Sequence, residues 1–223
     1  MRMNYTRYGV YFTPKPGAFA LAGATWLGWD IATGAPVGEP DDTVTKRPRK
    51  YGFHGTVKPP FHLAEGKTPE GLHAALDDLS GQLAPVALDG LTLSQIGSFL
   101  ALTPTGDVRD LARLAATVVK TLDSFRAPPT EADLARRRQS RLTPEQEANL
   151  TRWGYPYVME AFKFHMTLTG PLPREMTGKV LADANVHFGD IPPRPFVIDS
   201  LTLVGERQDG MFEELQRYAL TAA

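Results

Sequence analysis

YGFHGTVKPPF at residues 51–61 returns as FKFHMTLTGPL at residues 162–172, with Phe, His, Thr and Pro identical at four positions and apolar residues of similar kind at three more. The offset is 111 residues. Further along, Leu91-Thr92-Leu93 matches Leu201-Thr202-Leu203 at an offset of 110, so two separate anchors agree to within one residue. Solenoid units repeat every 20–50 residues or so, and a period near 110 therefore indicates two similar halves related by a pseudo-two-fold axis. Working outward from the two motifs, each half reads as strand, helix, strand, strand. That order predicts a duplicated α+β fold with sheets inside and helices outside.

Side chains on a strand alternate between faces. His54 and Thr56 therefore share one face, with Lys58 next along it, while Phe53, Gly55 and Val57 turn to the other. The same parity groups Lys163, His165, Thr167 and Thr169 and sends Phe164, Met166 and Leu168 inward. Two imidazoles brought from opposite halves suit concerted acid and base catalysis near neutral pH, because an unperturbed histidine titrates at about 6.5. A hydroxyl two residues along can donate to a non-bridging phosphoryl oxygen, where charge develops. The near-symmetric pair leaves open which histidine is acid and which is base. A single His-x-Thr carries little information; its duplication with matching flanks and a matching downstream anchor carries much more. Neither histidine has HExxH spacing or an acidic cluster beside it, so no metal site is expected.

The 223 residues carry a formal net charge of −1, with 42% hydrophobic and 22% charged side chains and no cysteine. That composition supports a folded core. It provides no global positive field for a long nucleic acid, so an anionic ligand must be held locally. Disulfides and thiolate metal sites are excluded. The opening MRMNYTRYGVYF lacks a secretory apolar stretch, and no run approaches the roughly 18–20 apolar residues of a membrane span. The expectation is a cytoplasmic monomer without cofactor, acting on a small phosphorylated substrate, with neither membrane nor long nucleic acid as partner.

Along the chain, Tyr8, Val10 and Phe12 alternate in a first strand that ends at Pro14 and Pro16. Residues 14–50 are rich in Gly and Pro and show no sustained period beyond room for a short helix. A strand is expected over Tyr51 to Lys58. A helix follows, with Thr68 as N-cap and Pro69 in its first turn, running to about Gln82. Strands come next over Val86 to Leu93 and Gly97 to Thr103, then a helix begun by Asp107. The stretch 127–142 turns to Pro and Arg before Thr143-Pro144-Glu145-Gln146, which has capping-box spacing. Beyond it the pattern gives a strand over Ala161 to Thr169, a helix from about Pro173 to His187, and strands over Phe196 to Val204 and Phe212 to Leu220. The whole is read as one bilobal domain, with lobe one at about 1–126, a connection at about 127–142 and lobe two at about 143–223.

The paired H-x-T motifs on a duplicated α+β chain resemble the two-histidine (2H) phosphoesterase superfamily, in which antiparallel sheets line a central cleft. RYGVYF, YGFHGTVKPPF, WGYPYV and FKFHMTLTGP are more narrowly similar to a bacterial branch associated with phosphonate breakdown by the carbon–phosphorus lyase route. The resemblance spans nearly the whole chain. It implies metal-independent hydrolysis, or reversible ligation, of cyclic phosphates or 2′,5′-type linkages, with His54, Thr56, His165 and Thr167 catalytic. The narrower likeness implies ribose 1,2-cyclic phosphate 5-phosphate as substrate. Nucleoside 2′,3′-cyclic phosphates and RNA ends are the alternative substrates, and a non-catalytic sensor of a phosphometabolite or RNA end is the alternative from another class.

Other residues are weighed against blander roles. Arg136, Arg137, Arg138 and Arg141 form a charge run of the kind that is usually a solvated helix face, yet a second substrate phosphate would call for an arginine fork. Arg138 and Arg141 are the candidates taken from it. Lys58 and Lys163 are candidate ligand contacts because they share strand faces with the catalytic pairs. Tyr11, Tyr155 and Tyr157 are candidates for stacking or phosphate contact, against packing as the ordinary role of such aromatics. His62, His73 and His187 lie outside the repeat and receive no role.

Overall fold

Tyr8–Phe12 forms β1, and all five of its residues are buried because the strand has hydrogen-bonded neighbours on both edges. The computed structural model describes residues 5–222. After β1 come α1 (Ala18–Leu27), ended by Gly28 in the left-handed conformation, a short β2 (Trp29–Asp30) and β3 (Ala35–Pro36) hairpin, and α2 (Asp42–Arg49). The Asp41 carboxylate starts α2 by accepting from Thr43 N at 2.9 Å. These elements occupy the segment whose sequence shows no sustained period: α1 is short and alanine-rich, and α2 is mostly polar and identified by its cap.

The first half continues with β4 (Gly55–Phe61), α3 (Pro69–Gly81), β5 (Val86–Leu88), β6 (Gly90–Ile96), β7 (Phe99–Thr105) and α4 (Arg109–Thr121). Thr68 caps α3 as its sequence requires, accepting from Gly71 N at 3.1 Å. The expected single strand over Val86 to Leu93 is broken at Asp89 into β5 and β6, which belong to different sheets. The connecting stretch is not irregular. It folds into α5 (Glu131–Arg138) and α6 (Pro144–Trp153), each opened by a threonine capping box. The second half supplies β8 (Met166–Thr167), α7 (Arg174–Phe188), β9 (Phe196–Ile198), β10 (Ser200–Glu206) and β11 (Phe212–Ala219). Much of the strand expected over Ala161 to Thr169 is a 3-10 turn at Met159–Ala161 followed by extended chain, leaving two ladder residues.

Seven strands make one sheet in the order β11-β10-β1-β4-β8-β7-β6, and β5 pairs with β9 in a separate two-stranded ribbon. Both junctions between the halves follow the repeat. β4 meets β8 antiparallel at Gly55↔Met166, residues 111 apart, and β5 meets β9 with Ala87 opposite Val197, residues 110 apart. Equivalent residues can face each other across an antiparallel pair only where a local two-fold axis passes between them. The axis inferred from the sequence is therefore present in the hydrogen-bond register.

The halves interleave about this axis. β4 is joined through β1 to the β10–β11 hairpin of the second half, while β8 pairs with β7 of the first. The helices follow suit, α3 packing on β10 and β11 and α7 on β6. A division at residues 1–126 and 143–223 is thus not the spatial one, because each half completes its layer with the other's hairpin. One continuous apolar cluster, including Leu72 and Leu76 of α3, Leu114 and Val118 of α4, Ala184 of α7 and Leu201 and Leu203 of β10, runs beneath the sheet.

Candidate active site

Extending the Gly55↔Met166 register by one residue each way sets His54 opposite Thr167 and Thr56 opposite His165. The two histidines then lie on a diagonal of the ladder, for which the Cα separation is about 7–8 Å. Burial follows the same alternation in both motifs: Phe53, Gly55 and Val57, like Phe164, Met166 and Leu168, are buried, while the four His and Thr side chains between them are half-buried. All four polar groups therefore open to one face. β8 has few ladder bonds of its own and is held from outside. Trp26 Nε1 of α1 donates to Leu168 O at 2.9 Å, and Gly170 N donates to Val44 O of α2 at 2.7 Å.

The histidines are fixed in the same way. Nδ1 of His54 lies 3.0 Å from Gly52 O, and Nδ1 of His165 lies 2.8 Å from Lys163 O, in each case the carbonyl two residues earlier. A carbonyl only accepts, so Nδ1 carries the proton and Nε2 is left as the acceptor. In His54, Nε2 accepts from Thr56 Oγ1 at 3.0 Å. Burial pushes the His54 imidazole down to about 4, the bond to Gly52 opposes that shift, and the neighbouring His165 adds to it. His54 is accordingly neutral at pH 7 with a lone pair on Nε2.

Their surroundings differ. Tyr11, paired in register with Thr56, stacks flat on His54 at 3.9 Å and 23°. Tyr51 lies 6.2 Å away on the same imidazole. His165 has instead a tilted contact with Phe99 at 5.7 Å. Tyr11 is 1% exposed and its hydroxyl is pushed up by burial. It works here as a wall for His54, a position no local pattern around Tyr11 announces.

Other expected contacts fall elsewhere. A bulge in the β1–β4 pairing, between Tyr11↔Thr56 and Val10↔Lys58, ends the strand parity that grouped Lys58 with Thr56. Lys58 is 2% exposed, donates to Val119 O at 3.2 Å, sits 3.7 Å from Asp123 and is pushed down to about 8 by burial. Its ammonium is thus occupied at the end of α4. Thr169 likewise leaves the cleft, accepting from Leu100 N at 3.0 Å and donating to Gly170 O. Lys163 is exposed at the entrance to β8. Arg138 is held by Glu147 of α6 at 2.6 Å, and Arg141 is exposed beyond the end of α5. Tyr155 and Tyr157 meet edge to face at 5.8 Å. Two residues not singled out from sequence enter here: Tyr51, and Arg137, whose guanidinium lies over the Tyr155 ring at 4.6 Å. Helical phase carries a signal for the latter, since residues 137 and 138 of one helix point about 100° apart. His62, His73 and His187 bond to Thr6 O, the Tyr218 hydroxyl and Ala22 O, consistent with framework roles.

Among the described residues no three His, Asp or Glu side chains gather as a set of metal ligands. No helix is long and apolar enough to cross a membrane.

Fold and site together define an α+β chain that presents one His-x-Thr from each half of a duplication on neighbouring strands. It belongs to the family described as protein of unknown function (DUF1045), whose model matches residues 56–213. Among curated proteins it is 37% identical over 229 residues to a ribose 1,5-bisphosphate phosphokinase PhnN of Janthinobacterium sp. (strain Marseille), covering 96% of this chain and 51% of that protein. It is 36% identical over 216 residues to the protein of the same name from Laribacter hongkongensis (strain HLHK9), covering 92% and 49%. The chain thus spans about half the length of the curated relatives it matches. Among solved structures it is similar to a phosphoesterase, at 14% identity with a TM-score of 0.45 over 98% of this chain and 100% of the other. It is also similar to E. coli LigT complexed with NADP+, at 14% identity with a TM-score of 0.42 over 98% and 99%.

Proposed function

We propose that this protein is a phosphodiesterase of the two-histidine type that opens a small cyclic phosphate, with ribose 1,2-cyclic phosphate 5-phosphate as its substrate. The observation that carries the reading is the local two-fold at Gly55↔Met166, which puts two histidines with matching Nδ1 locks, and two threonine hydroxyls, around one face of one strand pair. The reading requires one phosphorus atom above that pair to be reached by both imidazoles.

His54 is the general base. Its Nδ1 proton is held by Gly52 O, it is neutral at pH 7, and its Nε2 lone pair is left to accept. His54 Nε2 takes a proton from water as the water oxygen bonds to phosphorus. The bond from phosphorus to the sugar O2 breaks, and His165, in the acid role, passes a proton from Nε2 to the departing alkoxide. Thr167, and Thr56 once its hydroxyl turns from His54 Nε2 to the substrate and frees that nitrogen for the water, donate to the non-bridging oxygens as charge builds there. Solvent exchange resets both rings.

The substrate is suggested by the curated relatives, whose name specifies action on ribose 1,5-bisphosphate. Breaking the P–O2 bond of ribose 1,2-cyclic phosphate 5-phosphate leaves that bisphosphate. Phosphorus NMR of this substrate incubated with the protein tests the reading. The cyclic resonance is expected to be replaced by a second monoester resonance beside that of the 5-phosphate. Preferential turnover of nucleoside 2′,3′-cyclic phosphates would transfer the assignment to nucleotides or RNA ends. Tight binding of cyclic phosphates without turnover of any would make the protein a binding module.

A further inference from the structure

Resting on that reading of the site, we infer that Arg137, braced on the Tyr155 ring, is the residue that selects a substrate carrying a second phosphate. Three arginines of α5 lie in succession, and their surroundings separate them. Arg136 is paired with Asp133 at 2.6 Å and Arg138 with Glu147 at 2.6 Å, both on well-exposed side chains. Arg137 is half-buried, and among the described residues no carboxylate pairs with it. Its charge is met instead by Tyr155, whose π face lies 4.6 Å from the guanidinium carbon and whose hydroxyl shares a hydrogen bond with it.

That ring stands in the neighbourhood of the tyrosines that surround the base. Tyr11 stacks on His54 at 3.9 Å, Tyr51 lies 6.2 Å from the same imidazole, and Tyr155 is within electrostatic reach of both tyrosines. A guanidinium laid over an aromatic face keeps its N–H groups in its own plane, and those not bonded to Tyr155 can donate at the edge while the ring limits its motion. A fork with no carboxylate partner, held in this way, suits a phosphate dianion, for which bidentate donation by arginine is the favoured geometry.

The same contact argues against a nucleobase. Arg137 covers one face of Tyr155, and Tyr157 meets that ring edge-on at 73°. The tyrosine pair is therefore a buttress for a cation rather than an open stacking platform. A terminal phosphomonoester on the substrate suits a cation held in this way, and a nucleobase in that place does not.

The test compares ribose 1,2-cyclic phosphate with and without its 5-phosphate and reads the ratio of kcat/KM. The native protein is expected to prefer the 5-phosphorylated form by roughly ten- to a hundredfold, the range of a charge-assisted contact. Arg137→Met keeps an apolar stem over Tyr155 and should bring the ratio near one, with Arg137→Lys intermediate. Arg136→Ala should keep the native ratio. Thermal melting of each variant checks folding, and if Arg137→Met melts early the lysine variant decides. A native ratio maintained in both Arg137 variants overturns the inference and leaves the phosphodiesterase reading intact. Turnover of neither sugar by the native protein overturns that reading and the role of Arg137 with it.

Discussion

The two His-x-Thr motifs are nearly interchangeable as sequence and unlike as environments. Both histidines lock Nδ1 on the carbonyl two residues back, and both follow a buried phenylalanine. One imidazole is stacked beneath Tyr11, hydrogen-bonded to its own threonine and pushed down to about 4. Among the described residues the other has a tilted ring neighbour in Phe99. The duplication supplies two equivalent histidines; β1 lays Tyr11 flat on one, whereas β7, the strand beside β8, offers the other only the tilted ring of Phe99, and this makes them unequal. Acid and base assignments usually arise when environments separate like groups in this way.

The largest effect should come from removing either ring. His54→Gln and His165→Gln are each expected to lower kcat by about 10²–10⁴, the range for a lost general acid or base. The difference between the halves then emerges with leaving group. A cyclic or aryl phosphodiester whose departing oxygen needs no proton should restore much of the rate to His165→Gln and little to His54→Gln. Rescue of the His54 variant alone would reverse the assignment, and equal rescue of both would mean that Tyr11 does not differentiate them.

A smaller effect sharpens the role of that wall. Because the His54 base is disabled by protonation, the acid limb of kcat/KM should fall at about pH 4 in the native protein. Tyr11→Leu lets water reach the ring, so the limb should rise toward the ordinary 6.5. A complete shift would cost roughly 25-fold in rate at pH 5 relative to pH 7, from the neutral fraction at each pH. Stability carries the same sign. The unfolded chain binds more protons at His54 between about pH 4 and 6.5, so this contribution is full above 6.5 and is lost as pH falls through that window. A limb that stays near 4 in Tyr11→Leu would place the cause of the shift elsewhere.

What could be read in the sequence tracks how local the signal is. The repeat offset, the face shared by His and Thr, and the caps at Thr68 and Thr143 follow from neighbours within a few residues, and all reappear in the structure. Strand adjacency does not. The repeat shows which residues are equivalent but not which half's hairpin lies beside which motif, and β1, outside the repeat, enters between β10 and β4 by long-range pairing alone. Lys58 shows the same limit at the scale of one residue, since a bulge opposite Val10 overrides strict alternation. For Arg137, composition marked the arginine run, but only the placement of α5 against Tyr155 separates one arginine from its neighbours.

The last difference lies on the two-fold itself, where the first half has Gly55 and the second Met166. Both residues turn away from the cleft, and the phenylalanines preceding the histidines need room on that side. Phe164 takes it at Gly55, where an added Cβ would stand 2.2 Å from the ring. Phe53 takes it at Gly23 of α1, where an added Cβ would stand 1.9 Å from the ring. Each histidine is thus positioned by a phenylalanine seated on a glycine from another part of the fold. Gly55→Ala should force Phe164 aside at about 1–3 kcal/mol, the usual cost of overpacking, lowering Tm by a few degrees to about ten. Because Phe164 is bonded directly to His165, kcat should fall as well, and the acid limb set by His54 should stay in place. Gly23→Ala should disturb His54 instead and move that limb. If both variants merely melted earlier, with unchanged pH profiles, the glycines would serve packing alone and the phenylalanines would have no part in aiming the imidazoles.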